Sequence, residues 1–148
     1  MSQTTFTKSA LETQKLAQDL ARSLKGDKIL ALYGNLGSGK TTFVQGLAKG
    51  LGIKERMISP TFIIIREHKI SEKLKAKSEK FYHIDLYRVQ NFTELKELEL
   101  EEILGSKDRI VAIEWAEKIK ELLPKNRIEI YFENLGENRR RITVVPMI

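Results

Sequence analysis

The stretch GNLGSGKTTF, residues 34–43, sets three of the chain's nine glycines just ahead of, or next to, a lysine and two threonines. Gly34, Gly39, Lys40 and Thr41 satisfy the pattern GxxxxGK[ST] without a mismatch. Glycine tolerates backbone angles that turn successive N–H groups into one concavity. Such a nest grips phosphate oxygens, and a following helix adds the partial positive charge of its N-terminus. A glycine turn before an ordinary helix would have the same composition, but the flanking residues separate the two cases. Residues 29–33 (ILALY) are a continuous apolar run, as expected of a strand covered on both faces. Behind the loop, Phe43, Val44, Leu47 and Ala48 recur at helical spacing. Strand, glycine loop, helix is the order that a phosphate-binding unit requires. The expected cradle is Asn35, Leu36, Gly37, Ser38, Gly39, Lys40, Thr41 and Thr42. Lys40 is placed on the β and γ phosphates, the Thr41 hydroxyl on Mg2+, and Thr42 on the α phosphate.

ATP is the expected nucleotide, because neither the guanine-reading pattern NKxD nor the switch pattern DxxG occurs. Magnesium beside such a loop needs carboxylates at the end of a neighbouring strand. Asp85 follows the β-forming run 81–84, and Glu114 follows the apolar run 109–113. Both would stand at the carboxyl edge of a parallel sheet, where open α/β sheets bind ligands. Either could ligate the metal, and Glu114 could instead orient the attacking water. Lys40, Asp85 and Glu114 are thus the expected catalytic set, and Thr41, Asp85 and Glu114 the metal set. His83 shares the face of Asp85 and reads as a core histidine. Arg88 reads equally as a phosphate contact or a surface ion pair.

The remaining segments supply the frame. Ser9 and Glu12 have capping-box spacing. After them Ala10, Thr13, Ala17, Leu20, Ala21 and Leu24 recur as one helical face ending near Gly26. Residues 61–65 (TFIII) read as a second strand, and residues 69–80, with five lysines, as a solvated excursion or a flap. Residues 93–104 read as a helix with Leu95, Leu98 and Ile103 inward, and a short helix is expected before Pro124. Apolar residues alternate at 128–132 and 142–144 around a turn at 134–138, predicting an antiparallel C-terminal strand pair. The expected fold is α/β and P-loop NTPase-like, with a mostly parallel central sheet flanked by helices. At 148 residues it forms one domain over residues 1–148.

Composition narrows the class further. Cysteine is absent, which excludes disulfides, thiolate metal sites and a thiol nucleophile. No apolar run reaches the length of a membrane span. The N-terminus lacks the pattern of a secretion signal, so a cytoplasmic protein is the simplest reading. The net charge of +6 suits an anionic partner, although the basic residues are dispersed.

Four pieces in order and spacing carry a resemblance: the loop at 34–43, SPTF at 59–62, HIDLYR at 83–88 and IEW at 113–115. With these the chain resembles the TsaE (formerly YjeE) family, small P-loop ATPases of the bacterial threonylcarbamoyladenosine tRNA-modification system. The resemblance implies that Thr61 lies in a switch-like region near the γ phosphate. It implies that Asp85 and Glu114 belong to a Mg–ATP site, with Trp115 close by. It also implies an accessory role beside TsaB and TsaD, with TsaD transferring the threonylcarbamoyl group to an adenosine next to the anticodon. Contact with tRNA would then be indirect, and ATP hydrolysis would reset the complex. The sequence places no arginine on the γ phosphate, so hydrolysis is expected to be slow without the partners, which would complete the site. A small-molecule or nucleoside kinase using the same loop is the alternative. Three departures from the family pattern stand away from the loop: a longer, more basic stretch at 66–80, Glu99 where glycine is common, and Ala116 where proline is common.

Overall fold

The computed structural model describes residues 2–55, 65–71, 78–91, 93 and 99–146. Its strands are β1 (Gln3–Thr7), β2 (Lys28–Tyr33), β3 (Ile65–Lys69), β4 (Lys80–Asp85), β5 (Arg109–Glu114), β6 (Ile128–Gly136) and β7 (Arg139–Pro146). Among the described residues the α-helices are α1 (Ala10–Ser23), α2 (Lys40–Gly50) and α3 (Leu100–Gly105), and Ala116–Leu122 forms 3-10 turns. The strands make one sheet in the order β1-β7-β6-β2-β5-β4-β3. The inner four, β6, β2, β5 and β4, run parallel. Antiparallel pairing flanks them on both sides, through β6–β7 and β1–β7 at one edge and β3–β4 at the other.

Alternation along the inner strands builds a core on each face. Leu30 and Leu32 join Ile110, Ala112 and Ile130 under α1 and α2. Ile29 and Ala31 join Val111, Ile113 and Ile84 on the opposite face, with Leu100 and Leu104 of α3. The apolar run at 29–33 is therefore a strand buried on both faces, as its composition predicts. Ser9 caps α1 by accepting from Glu12 N at 3.1 Å. Glu12 reaches back to Lys8 N at 2.9 Å rather than to the N–H of Ser9, a one-residue variant of the capping box. The inward face of α1 is narrower than its periodicity suggests: Thr13, Ala17 and Ala21 are buried and Ala10 is exposed.

Three parts of the sequence reading change. Residues 3–7 form an edge strand, although QTTFT has no apolar alternation to announce it; its backbone pairs with β7. The second expected strand enters the described residues at Ile65, which opens β3, and runs on past its expected end to Lys69, antiparallel to β4. Its first four positions, including Thr61, lie outside the described residues, as do Leu95 and Leu98. Third, the stretch 69–80 is not wholly solvated. Lys69 ends β3, Lys80 begins β4, and Ile70 and Ser78 between them are buried; positions 72–77 lie outside the described residues.

Helices α1 and α2 meet through small residues. A Cβ on Gly46 would lie 2.3 Å from the Gln14 carbonyl oxygen and 2.7 Å from its Cα. One on Gly50 would lie 2.6 Å from the Ala21 Cβ. These contacts are with backbone and stub atoms that cannot swing aside. Gly105, in α3, has nothing within 4 Å of that point. Alanine normally improves a helix over glycine by ~1 kcal/mol. At Gly46 the overlap should outweigh that gain, with a net loss of about 1–3 kcal/mol. Gly105→Ala should be neutral or slightly stabilising. Thermal and urea unfolding of the two variants check this; a Gly46→Ala variant as stable as the parent would rule out so close a helix crossing.

Candidate functional site

Parallel pairing of β2 with β5, and of β5 with β4, brings three strand ends to one edge of the sheet. Asp85 and Glu114 are direct register partners there, side by side on β4 and β5. The loop from β2 to α2 passes beside them, with Gly34, Gly37 and Gly39 at φ of 156°, 79° and 104°. The left-handed angles at Gly37 and Gly39 are ones that L side chains resist. Gly34 is also sterically closed, since a Cβ would meet Ser38 Oγ at 2.6 Å and the Phe132 carbonyl at 2.9 Å. Gly39 hands the chain directly to the first residue of α2, Lys40.

The reactive side chains are buried together. Glu114 is 2% exposed, Lys40 4% and Asp85 8%. Thr41 Oγ1 donates to Glu114 Oε1 at 3.0 Å. The other carboxylate oxygen of Glu114 lies 2.6 Å from His83 Nε2. Asp85 Oδ1 accepts from Tyr87 N at 3.0 Å, which turns the chain just after the strand. Lys40 Nζ donates to the Gly34 carbonyl. It also sits over the Trp115 ring, 3.7 Å from its centroid, a cation–π contact. Burial pushes the Lys40 ammonium below the usual lysine range, while Glu114, Glu117 and Asp85 pull it back. Trp115 occupies the left-handed region at φ 61°, immediately after β5. Lys118 donates to the Tyr87 and Val89 carbonyls at 2.6 and 2.9 Å, and the Tyr87 ring lies 5.2 Å from that of Trp115.

These groups surround an open cleft of about 310 Å³. Leu36, Gly37, Gly39, Lys40, Thr41 and Thr42 line it from the loop, with Asp85 and Glu114 beside them. Asn35 and Ser38 shape the loop from behind: Ser38 N donates to the Asn35 carbonyl at 3.1 Å, and the buried Ser38 Oγ has no partner among the described residues. Thr61 lies outside the described residues. Arg88 is exposed and does not line the cleft. His83, read from sequence as a core histidine, is fully buried, yet its ring engages the carboxylate of the site. Its position two residues before Asp85 put it on the right face, but the bond to a strand 31 residues away has no local signature. Two further lining residues, Tyr87 and Arg140, were not assigned to the cleft by their sequence context.

The donor set suits magnesium. Among the described residues no three histidine or carboxylate side chains form a closed cation cage. Magnesium instead uses one or two carboxylates with phosphate oxygens and waters, and Thr41, Glu114 and Asp85 offer hard oxygens for that arrangement.

Comparison with known proteins gives one consistent result. The family model described as "Threonylcarbamoyl adenosine biosynthesis protein TsaE" matches residues 7–142. The tRNA threonylcarbamoyladenosine biosynthesis protein TsaE of Rickettsia felis is 41% identical over 135 residues, covering 90% of this chain and 74% of that protein. The protein of the same name from Bacillus subtilis is 38% identical over 132 residues, covering 89% and 78%. The crystal structure of Bacillus subtilis YdiB aligns with a TM-score of 0.80 at 31% identity, over 100% of this chain and 87% of that one.

Lys40 yields a direct test of the cleft. Its ammonium is desolvated and its pKa is lowered on folding, so the charged form costs the fold stability; the cost is full below the folded-state pKa and falls away as pH rises from there through the ordinary lysine range. Lys40→Ala removes that cost together with the Gly34 hydrogen bond and the Trp115 contact, so its melting temperature should change little. If the cleft takes ATP, as the loop pattern leads one to expect, the variant should bind it roughly tenfold or more weakly, since each charge-assisted contact is worth ~1.5–3 kcal/mol. Trp115 emission should differ from the parent and no longer respond to nucleotide. Unchanged affinity by calorimetry would move the phosphate site elsewhere.

Proposed function

Because the chain belongs to the TsaE family of threonylcarbamoyl adenosine biosynthesis proteins, we propose that it is a magnesium-dependent ATP hydrolase supporting threonylcarbamoyladenosine modification of tRNA. One observation carries the reading: the Thr41 hydroxyl and the Glu114 carboxylate, from the loop and from the adjacent strand, meet at 3.0 Å. That contact sets a metal-ligating hydroxyl against a carboxylate at the end of a nucleotide-binding strand, with Asp85 beside it.

On this reading the glycine loop backbone and Lys40 hold the β and γ phosphates, and Thr42 takes the α phosphate. Thr41, Asp85 and Glu114 would hold magnesium, which when bound neutralises charge on the phosphate oxygens. Glu114 then has a second task. With one oxygen toward Thr41 and the other braced by His83, its carboxylate is fixed to orient a water for in-line attack. Lys40 exchanges the Gly34 carbonyl and the Trp115 face for phosphate oxygens as nucleotide enters. The partners are TsaD and TsaB, tRNA is reached through them, and the work is cytoplasmic. The chain carries no threonylcarbamoyl transfer itself; its contribution is the ATP cycle.

Steady-state ATP hydrolysis with Mg2+ tests this, for the chain alone and with purified TsaB and TsaD. The isolated chain should turn over slowly, the partners should raise the rate, and chelating magnesium should abolish it. Glu114→Gln should cut turnover by ~10²-fold or more, the scale of a lost base or water-orienting group, while nucleotide binding is largely kept. ADP release that depends on a small-molecule acceptor and ignores the partners would replace this reading with a kinase.

A further inference from the structure

One cation in the cleft has no role in the account above. Arg140 belongs to the run Arg139-Arg140-Arg141 on β7, and strand alternation splits the three between faces. Arg141 turns to the open face of the sheet, where it pairs with Glu133. Arg140 turns to the face of Ile142, which lies in the core under α1 and α2. Its side chain lies along the phosphate loop: Nε and Cδ come within 3.3 and 3.6 Å of the point where a Cβ on Gly39 would stand. Arg140 Nη1 donates to Asn134 Oδ1 at 3.1 Å and to the Arg139 carbonyl at 3.0 Å. Both acceptors are neutral, and among the described residues no carboxylate pairs with this guanidinium.

Strand order decides which end of a nucleotide Arg140 meets. On one side of β2 lie β5 and β4, with Glu114 and Asp85; on the other lie β6 and β7. A metal and the terminal phosphates belong on the carboxylate side, against Thr41. The α phosphate and the nucleoside must then extend toward β6 and β7, where Arg140 lines the cleft. We propose that Arg140 is a binding residue for the α phosphate. With Nη1 tethered, the opposite edge of the guanidinium, Nε and Nη2, remains to donate two parallel hydrogen bonds to phosphate oxygens. The tether to Asn134 across the β6–β7 hairpin holds that edge in place before the ligand arrives, which lowers the ordering cost of binding. The proposal rests on the nucleotide reading of the loop and adds a specific ligand group to it.

The test measures affinities for Mg-ATP and for Mg-tripolyphosphate, by competition against a fluorescent ATP analogue. Arg140→Ala should weaken both by roughly tenfold or more, because both ligands place a phosphate at the same point. Arg140→Lys, which keeps the charge but not the paired donors, should show a smaller loss for both; it also serves if the alanine variant folds poorly by circular dichroism. Arg141→Ala, on the other face, should change neither. Equal affinities for parent and Arg140→Ala would overturn the proposal. So would a loss for ATP alone, which would assign Arg140 to the base. A parent protein that binds neither ligand would instead remove the nucleotide reading of the loop.

Discussion

The parallel seat of β2 between β5 and β6 is the constraint on which the site depends. Pairing with β5 sets the register Leu32–Glu114, two residues before the first loop glycine. The loop therefore starts level with the carboxylate it must meet, and the Thr41–Glu114 hydrogen bond closes without any long side chain reaching across. Pairing with β6 brings the Phe132 backbone so close to Gly34 that no Cβ fits there. A slip of one residue on either side would turn the apolar residues of β2 to the wrong faces and carry Glu114 away from Thr41. Core burial and site geometry are thus set by the same register.

Helix α2 is located from the opposite direction. Its first residue is Lys40, so any movement of the helix moves the ammonium and the Thr41 hydroxyl with it. Gly46 and Gly50 let the backbone of α1 approach within direct contact and fix α2 against a wall that cannot yield. Phe43 adds an edge-on ring contact to Phe132 of β6, 5.3 Å between centroids. Small residues on one side and an aromatic on the other leave the helix N-terminus little freedom. Such pre-organisation suits a site whose chemistry is mainly positioning.

Much of this was legible in the chain itself, and the exceptions have physical causes. The phosphate loop, the buried strands at 29–33 and 109–113, and the antiparallel pair at the C-terminus show their period or their glycines locally. The two carboxylates could be placed because a strand-end position follows from an apolar run and a parallel sheet. β1 was not legible: QTTFT is held by pairing with β7, a partner more than 130 residues away in sequence. Glu99 and Trp115 adopt left-handed angles that their residue types do not favour, so no turn signal marks them. The role of Gly46 was hidden because a helix-packing glycine looks like a weak helix residue until the neighbour is known. His83 and Arg140 were each visible as a residue, but their partners come from other strands, and alternation alone cannot name a partner.

The charges of the cleft bear on why such a site would work with others. Among the described lining residues, Lys40 and Arg140 are the cations and Asp85 and Glu114 the anions, so the walls by themselves are balanced. On the proposed reading the carboxylates are committed to magnesium, and Arg140 to the α phosphate. Beside the magnesium, Lys40 is then the one side-chain cation among the described lining residues left to answer the charge that spreads over the γ phosphoryl group in the transition state. Burial already lowers its affinity for the proton, and part of its field is answered by the adjacent Glu114. On that reading a further positive group at the reacting phosphate would raise turnover. Supplying such a group in trans accelerates related sites by ~10³ to 10⁵. On the proposed reading, stimulation of hydrolysis by a partner is the outcome that the charge inventory of the cleft predicts.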